Sequence, residues 1–265
     1  MGSQIGLLLA LGSRHTVLLS RRRESLDQAL ENVRRYAADL HRHDLLHGED
    51  PEAVLERIHV TTDLTAAMNQ VEFVVESISE NLEAKQELFE RMDAAAPPEA
   101  ILTSNTSGLP ITDLASRARH RERIAGAHFV QPGHIVPVVE VIRGRDTSEE
   151  TMARTCALWE RLERIALRVE QDVPGFLINR LQHAILNEAY RLIEAGITSA
   201  VDVDRAAKHM LGPRMCVTGL IEQKDLSGID THARAQAAIV PHLYHEAVPS
   251  PVIMDKLERN ELGTK

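Results

Sequence analysis

Apolar positions in the first two-thirds of the chain fall in short runs, separated by longer stretches with helical spacing. Thr16-Val17-Leu18-Leu19 is an apolar run of strand type. Ser25-Leu26-Asp27-Gln28 follows with the spacing of a capping box, and predicts a helix running toward Gly48. Phe73-Val74-Val75-Glu76 is the next strand, and Asn81 is placed to cap a helix carrying Leu82, Lys85, Leu88, Phe89 and Met92. Ala100-Ile101-Leu102-Thr103, Ala127-His128-Phe129-Val130 and Val138-Val139-Glu140-Val141 predict further strands. Thr147-Ser148-Glu149-Glu150 predicts a second capping box and a helix toward Leu162, and Ala166-Leu167-Arg168-Val169 closes the series as a strand.

Strands alternating with helices predict a parallel sheet covered on both faces, a doubly wound α/β domain of Rossmann-like type. The pattern changes at Asp172-Val173-Pro174-Gly175. Beyond it Phe176, Leu177, Leu181, Ile185, Leu192 and Ile193 recur at helical spacing up to Gly196, a second helix spans roughly Val201 to Leu211, and helical text continues past Asp230. The expected organisation is therefore residues 1–171 as a dinucleotide-binding domain and 172–265 as an all-helical domain.

The opening element departs from this scheme. Ser3 to Leu11 reads as a helix, apolar nearly all round, before Gly12-Ser13-Arg14 and the strand at Thr16. A doubly wound domain opens with a strand and a glycine-rich turn ahead of that helix. Here Met1-Gly2 stands where the turn would deliver phosphate to the helix N-terminus. The expectation is a truncated or misassigned start, with the first strand missing and a gap at the centre of the sheet.

Composition narrows the function classes. The chain has 43% hydrophobic and 26% charged residues, a globular balance. A net charge of −9 and 3% aromatics argue against a nucleic-acid surface. The apolar stretch Ile5 to Leu11 is too short to span a bilayer and carries no basic leader, so no membrane association is expected. Cys156 and Cys216 make no disulfide framework or zinc spacing, which fits a reducing, cytoplasmic location. His41, His43 and His47 include one i,i+4 pair but no accompanying carboxylate motif, and no metal is expected.

His128 and Glu140 each stand in an apolar run on neighbouring strands. A histidine is the natural base for a secondary alcohol near neutral pH, and a carboxylate on its other nitrogen fixes its tautomer. Taken alone, the pair reads more readily as a satisfied core histidine and a lone buried glutamate. The ordered set Met1-Gly2-Ser3-Gln4-Ile5, Val75-Glu76, Glu80-Asn81-Leu82, Ser104-Asn105-Thr106-Ser107, His128-Phe129, Val139-Glu140-Val141 and Pro174-Gly175-Phe176 with Asn179-Arg180 resembles the 3-hydroxyacyl-CoA dehydrogenase family. That family includes L-gulonate 3-dehydrogenase and lambda-crystallin, and the resemblance covers almost the whole chain.

The resemblance implies an oxidoreductase of fatty acid metabolism that interconverts a 3-hydroxyacyl-CoA and its 3-oxo form with a nicotinamide cofactor. It casts His128 as the base, Glu140 as the group that orients it, and Ser107 and Asn179 as hydrogen-bond partners of the reacting oxygen. Because Asn179 falls in the helical text, the site is expected between the domains. Glu76, Asn105 and Lys85 match positions beside the cofactor. A homodimer through the helical domain is implied as well. The helix around His43 matches a substrate-covering hairpin, and Arg34, Arg35 and Arg42 are candidate donors to CoA phosphates.

Three departures from the family pattern bear on this reading. Gln131 stands where the family has an asparagine near the substrate. The strand Thr16–Leu19 leads into Ser20-Arg21-Arg22-Arg23, not into the acidic residue that binds the adenosine ribose of NAD. Losing that carboxylate removes repulsion against a 2′-phosphate, and serine and arginine supply donors for one, so NADP is expected to be tolerated or preferred over NAD, against the equal alternative of a solvated basic helix-entry loop with no ligand role. The chain also stops after Leu262-Gly263-Thr264-Lys265, short of the family's glycine-aromatic tail. Two alternatives stay open: an L-gulonate-type or other non-CoA 3-hydroxy acid dehydrogenase, and a catalytically silent crystallin-like relative.

Overall fold

A computed structural model of the chain describes residues 1–12, 15–46, 48–245 and 248–261. They divide into two units, Met1–Asn179 and Arg180–Lys265.

The first unit opens on α1 (Gly2–Gly12). Its all-round apolarity has a packing cause, because two cores claim it. Ile5 and Leu8 pack with Ala127, Val139 and Trp159, while Leu7 and Ala10 pack with Val33, Ala37 and Leu40. Gly6 permits the helix to lie directly on β1 (Thr16–Leu19): a Cβ there would come within 2.5 Å of Leu18 Cδ2.

α2 spans Arg23–Arg42 and departs from the sequence expectation at both ends. The chain is still extended at Arg22 and turns helical at Arg23, where an i,i+4 pair with Asp27 supports the first turn. Ser25 thus lies inside that turn and caps nothing. At the other end Asp44 adopts φ 57° and Leu45 donates back to the Leu40 carbonyl, closing the helix before Gly48.

Short elements follow that periodicity could not reveal: α3 (Pro51–Leu55), β2 (Ile58–Thr61) and α4 (Leu64–Met68). Asp50 and Asp63 cap the two helices through their side chains. β2 pairs in parallel with β1, Thr16 opposite Ile58.

The main sheet has the order β3-β4-β5-β6-β7: Phe73–Glu76, Ile101–Ser104, Ile124–Phe129, Val138–Ile142 and Ile165–Val169. β1 and β3 belong to separate sheets among the described residues, so the division falls where a doubly wound domain would seat its first strand. The expected all-parallel arrangement needs one correction, since β5 and β6 run antiparallel with His128 opposite Glu140. Residues 130–137 join them, whereas a parallel crossover takes about a dozen residues or more.

α5 (Leu82–Ala95) is capped by Asn81, whose Oδ1 accepts from the Ala84 N–H. α6 (Ile111–Leu114) follows β4. α7 (Glu149–Arg161) is capped by Ser148, not Thr147. The Thr147 hydroxyl is committed elsewhere, accepting from Gly144 N–H and donating to the Ile124 carbonyl. The unit ends at the start of α8 (Ile178–Glu194).

The second unit is helical, as predicted. It contains the rest of α8, then α9 (Ala200–Ala206), a π turn at Ala207–Leu211, α10 (Gly212–Val217), α11 (Glu222–Ser227), α12 (Ile229–Ile239) and α13 (Pro251–Glu258). Among its described residues no hydrophobic side chain is fully buried.

Candidate active site

The carboxyl ends of β3, β4 and β5 carry Glu76, Asn105, Ser107 and His128, where open α/β sheets place their ligands. His128 and Glu140 face each other across the antiparallel β5–β6 pair, Nδ1 to Oε2 at 2.6 Å. Glu140 is fully buried, and its Oε1 accepts the N–H groups of Leu177 and Ile178 at 2.8 and 2.9 Å. Burial pushes its carboxyl up, but the hydrogen bonds from His128, Ile178 and Leu177 outweigh that and hold it below the ordinary glutamate range. An ionised Glu140 only accepts, so His128 Nδ1 carries a proton, and in the neutral ring Nε2 carries the lone pair. Nε2 has no hydrogen-bond partner among the described residues and is not sealed from solvent.

The donors on Glu140 come from an unusual turn. Gly175 and Phe176 adopt φ 76° and 49°, so neither can join the helix, which begins at Ile178. Two main-chain N–H groups left unpaired at the helix entry point at the carboxylate. Phe176 is buried and packs its ring 5.9 Å from that of His128.

Asn179 is the next residue and the last of the first unit. Its Nδ2 donates to the Ser107 carbonyl at 3.0 Å, so the pairing lies within that unit, whereas the sequence pattern places Asn179 in the helical domain. Ser107 is exposed and its N–H donates to Glu80 Oε1 at 3.0 Å. Its hydroxyl reaches the same oxygen only at 3.4 Å, which leaves it able to turn to another partner. Glu80 also accepts from the Thr106 hydroxyl and lies 3.4 Å from Lys85 Nζ. Burial raises its carboxyl, but Thr106, the Lys85 charge and Ser107 together bring it below the ordinary value. Glu80 belongs to the ordered motif set, but the sequence assigns it no role. The available signal is an acid immediately before a helix cap, beside the end of β3.

Glu76 and Lys85 are brought together beneath the strand ends and not at an open surface. Lys85 Nζ lies 2.7 and 2.9 Å from the Glu76 oxygens, with the two side chains 1% and 0% exposed. Glu76 Oε2 also accepts from the Ser104 hydroxyl at 2.6 Å, so the pair ties the segments after β3 and β4 to each other.

Asn105 Oδ1 accepts from the Phe129 N–H at 2.8 Å, leaving its Nδ2 without a partner among the described residues. Gly2 begins α1, and a Cβ there would lie 3.8 Å from the Ser77 Cβ. The Ser77 hydroxyl is itself buried without a hydrogen-bond partner. An orphaned hydroxyl, a free amide and a helix N-terminus at strand ends fit a dinucleotide. Ser20 and Arg21 follow β1, both away from this cluster in sequence, with Ser20 N–H donating to the Thr61 carbonyl. Gln131 is exposed.

No group of three or more potential metal ligands occurs among the described residues. His47, Ser13, Arg14 and Leu262 to Lys265 lie outside the described residues. Among the described residues no helix is long and apolar enough to cross a membrane.

Comparison with known proteins agrees along the whole chain. Residues 1–173 match the family model described as 3-hydroxyacyl-CoA dehydrogenase, NAD binding domain, and residues 175–265 match its C-terminal domain. Human mitochondrial hydroxyacyl-coenzyme A dehydrogenase is 32% identical over all of this chain and 85% of its own length. The 5-formyl-3-hydroxy-2-methylpyridine 4-carboxylate 5-dehydrogenase of Mesorhizobium japonicum is 30% identical over 81% of this chain and 70% of its own. A solved structure of an enzyme with that activity, described as an NAD+-dependent dismutase, superposes with a TM-score of 0.86 at 26% identity, over all of this chain and 84% of the other.

Proposed function

The chain belongs to the 3-hydroxyacyl-CoA dehydrogenase family, and from that premise we propose that it interconverts a 3-hydroxyacyl-CoA and its 3-oxoacyl-CoA, with the His128–Glu140 pair as the base. It is a dehydrogenase with an NAD-binding domain, acting on a CH–OH group. The observation that carries the dyad is the 2.6 Å contact between His128 Nδ1 and a buried, ionised Glu140, which leaves Nε2 as the proton acceptor.

In the oxidative direction His128 Nε2 takes the hydroxyl proton as the C–H hydride departs. The nicotinamide supplies the hydride acceptor. Glu140 then faces an imidazolium across its short hydrogen bond, and its two N–H donors keep it ionised for that purpose. Ser107 and Asn179 would hold the substrate oxygen as its bond order changes. Reduction runs the same proton back from His128.

The test is initial-rate assay of acetoacetyl-CoA reduction, together with cofactor titration. His128→Ala should lose turnover and keep cofactor affinity. Turnover retained in that variant would remove His128 as the base.

A second reading keeps the chemistry and changes the substrate. The 0.86 TM-score to an enzyme named for a pyridine carboxylate, together with Gln131 where an asparagine was expected, favours a small acid without CoA. Turnover of 3-hydroxybutyrate with no activity on acetoacetyl-CoA would select it.

The second unit supports a homodimer. Leu181, Ile185, Ile221, Leu226 and Ile229 are all exposed in one copy. Large apolar side chains left open in this number mark an interface.

A further inference from the structure

We propose that Ser20 and Arg21, at the carboxyl end of β1, form a subsite for the 2′-phosphate of the cofactor, so that this chain accepts NADP(H) and binds it more tightly than NAD(H). The proposal rests on the dinucleotide reading above and deepens it.

The end of the second strand of a doubly wound fold is where an acidic side chain holds the adenosine ribose hydroxyls. In this chain that role falls to β1, against which α1 is packed through Gly6. The residue after β1 is Ser20, whose main chain continues the β1–β2 ladder by one bond to Thr61. Ser20 Oγ accepts a long 3.5 Å hydrogen bond from the Arg22 N–H, and its own proton remains available to donate. No carboxylate stands at the position that would repel a phosphate dianion.

The charges around Ser20 are sorted. Arg23 is engaged with Asp27 at 3.1 Å. Arg21 and Arg22 are exposed, and neither guanidinium has a hydrogen-bond or ion-pair partner among the described residues. Asp63, after β2, is occupied capping α4 through Thr65 and Ala66. Glu24, exposed in the first turn of α2, is the uncommitted acid nearest in sequence. A guanidinium offers a planar fork that matches phosphate oxygens, and a hydroxyl adds a third donor. With a neutral serine in place of an acid, the same donors gain little from two ribose hydroxyls.

The experiment is fluorescence titration of the whole chain with NADPH and NADH. It is paired with calorimetry using adenosine 2′,5′-bisphosphate and 5′-AMP, which read the adenosine end without any turnover. The expected result is NADPH binding about tenfold or more tighter than NADH, as charge-assisted hydrogen bonds imply. Adenosine 2′,5′-bisphosphate should likewise exceed 5′-AMP, and the NADPH advantage should shrink with added salt. Arg21→Ala should remove most of that advantage, and Ser20→Asp should invert it, with NADH still bound by both variants. Equal affinities, or NADH binding tighter and losing affinity in Glu24→Gln, would overturn the phosphate subsite and leave the dehydrogenase reading standing. No binding of either dinucleotide by folded protein would overturn the dinucleotide reading itself.

Discussion

Asn179 donates its side-chain amide to the main-chain oxygen of Ser107 at 3.0 Å, although seventy-two positions separate them. One residue earlier, the Ile178 N–H reaches Glu140. The entry to α8 therefore connects the dyad to the loop after β4. Removing the amide should loosen Ser107 and withdraw a donor from the substrate oxygen. Asn179→Ala should lower kcat by about tenfold to a hundredfold, the range for one lost hydrogen-bond donor at a reacting oxygen being somewhat larger. Cofactor affinity should change less than about threefold, on the order of 0.6 kcal/mol. Steady-state kinetics with a parallel NADH titration checks both.

Glu140 is held below the ordinary glutamate range by three donors, so the dyad depends on its charge and not only on its shape. Glu140→Gln preserves volume but cannot stabilise the imidazolium. Removing general-base assistance costs roughly a hundredfold or more in rate. The prediction is a loss of that order in kcat with an unchanged circular dichroism spectrum. Wild-type kcat in the Glu140→Gln variant would separate Glu140 from the chemistry.

Much of this arrangement is legible in the sequence. His128 and Glu140 stand out because a titratable residue in an apolar run is costly unless paired. Asn81 is legible as a cap because its chemistry is local. Other features are not, for physical reasons. The antiparallel turn of β6 depends on the length of the connection, not on the residues in the strand. Ser25 has the composition of a cap, but the backbone is still extended at Arg22 and already helical at Arg23. Lys85 looks like a helix-surface lysine, yet it is 1% exposed against Glu76, and sequence gives no sign of which acid a lysine will find. The N–H groups of Leu177 and Ile178 carry no side-chain signal at all. Only Gly175 hints that the chain turns there.

Lys85 and Glu80 should separate stability from activity. Lys85→Met leaves Glu76 buried with an uncompensated charge, and breaking a buried pair costs about 3–5 kcal/mol. The expected readout is a marked drop in urea midpoint. Glu80 is partly exposed, so Glu80→Gln should cost far less stability while freeing Ser107. Its effect on kcat should be non-additive with Ser107→Ala, because the two act through one contact. Additive losses in the double variant would show that Glu80 does not act through Ser107.

The second unit should not persist as a lone copy. Its helices expose apolar side chains along α8, α11 and α12 in the single chain, and a unit of this size needs buried apolar area to stay folded. Light scattering on the eluting peak should give twice the 29.5 kDa chain mass. Leu181→Glu with Ile185→Glu should reduce it to one chain. A monomeric wild type would remove the second copy as the cover.

Asp93 provides a pH signature away from the site. It is 5% exposed and accepts from Arg123 Nε and Nη2 at 3.0 and 2.7 Å, and from the N–H groups of Arg119 and His120. Burial raises its carboxyl, but Arg123 and the two main-chain donors bring it below the ordinary aspartate range. The sign follows from linkage. A carboxyl depressed in the folded state contributes its stability fully above its unfolded pKa of about 3.9, and loses it as pH falls through the folded value. Asp93→Asn also strands the buried Arg123 charge, for which a loss of about 3 kcal/mol at pH 7 is expected. That gap between wild type and variant should hold down to about pH 5, and narrow below the ordinary aspartate value as the carboxyl takes up its proton in the unfolded chain first. Urea unfolding at about pH 7, 5 and 3.5 measures the gap directly. A gap of constant size across that range would mean that Asp93 titrates alike in the folded and unfolded chain, and a gap widening toward acid would reverse the assigned direction of its shift.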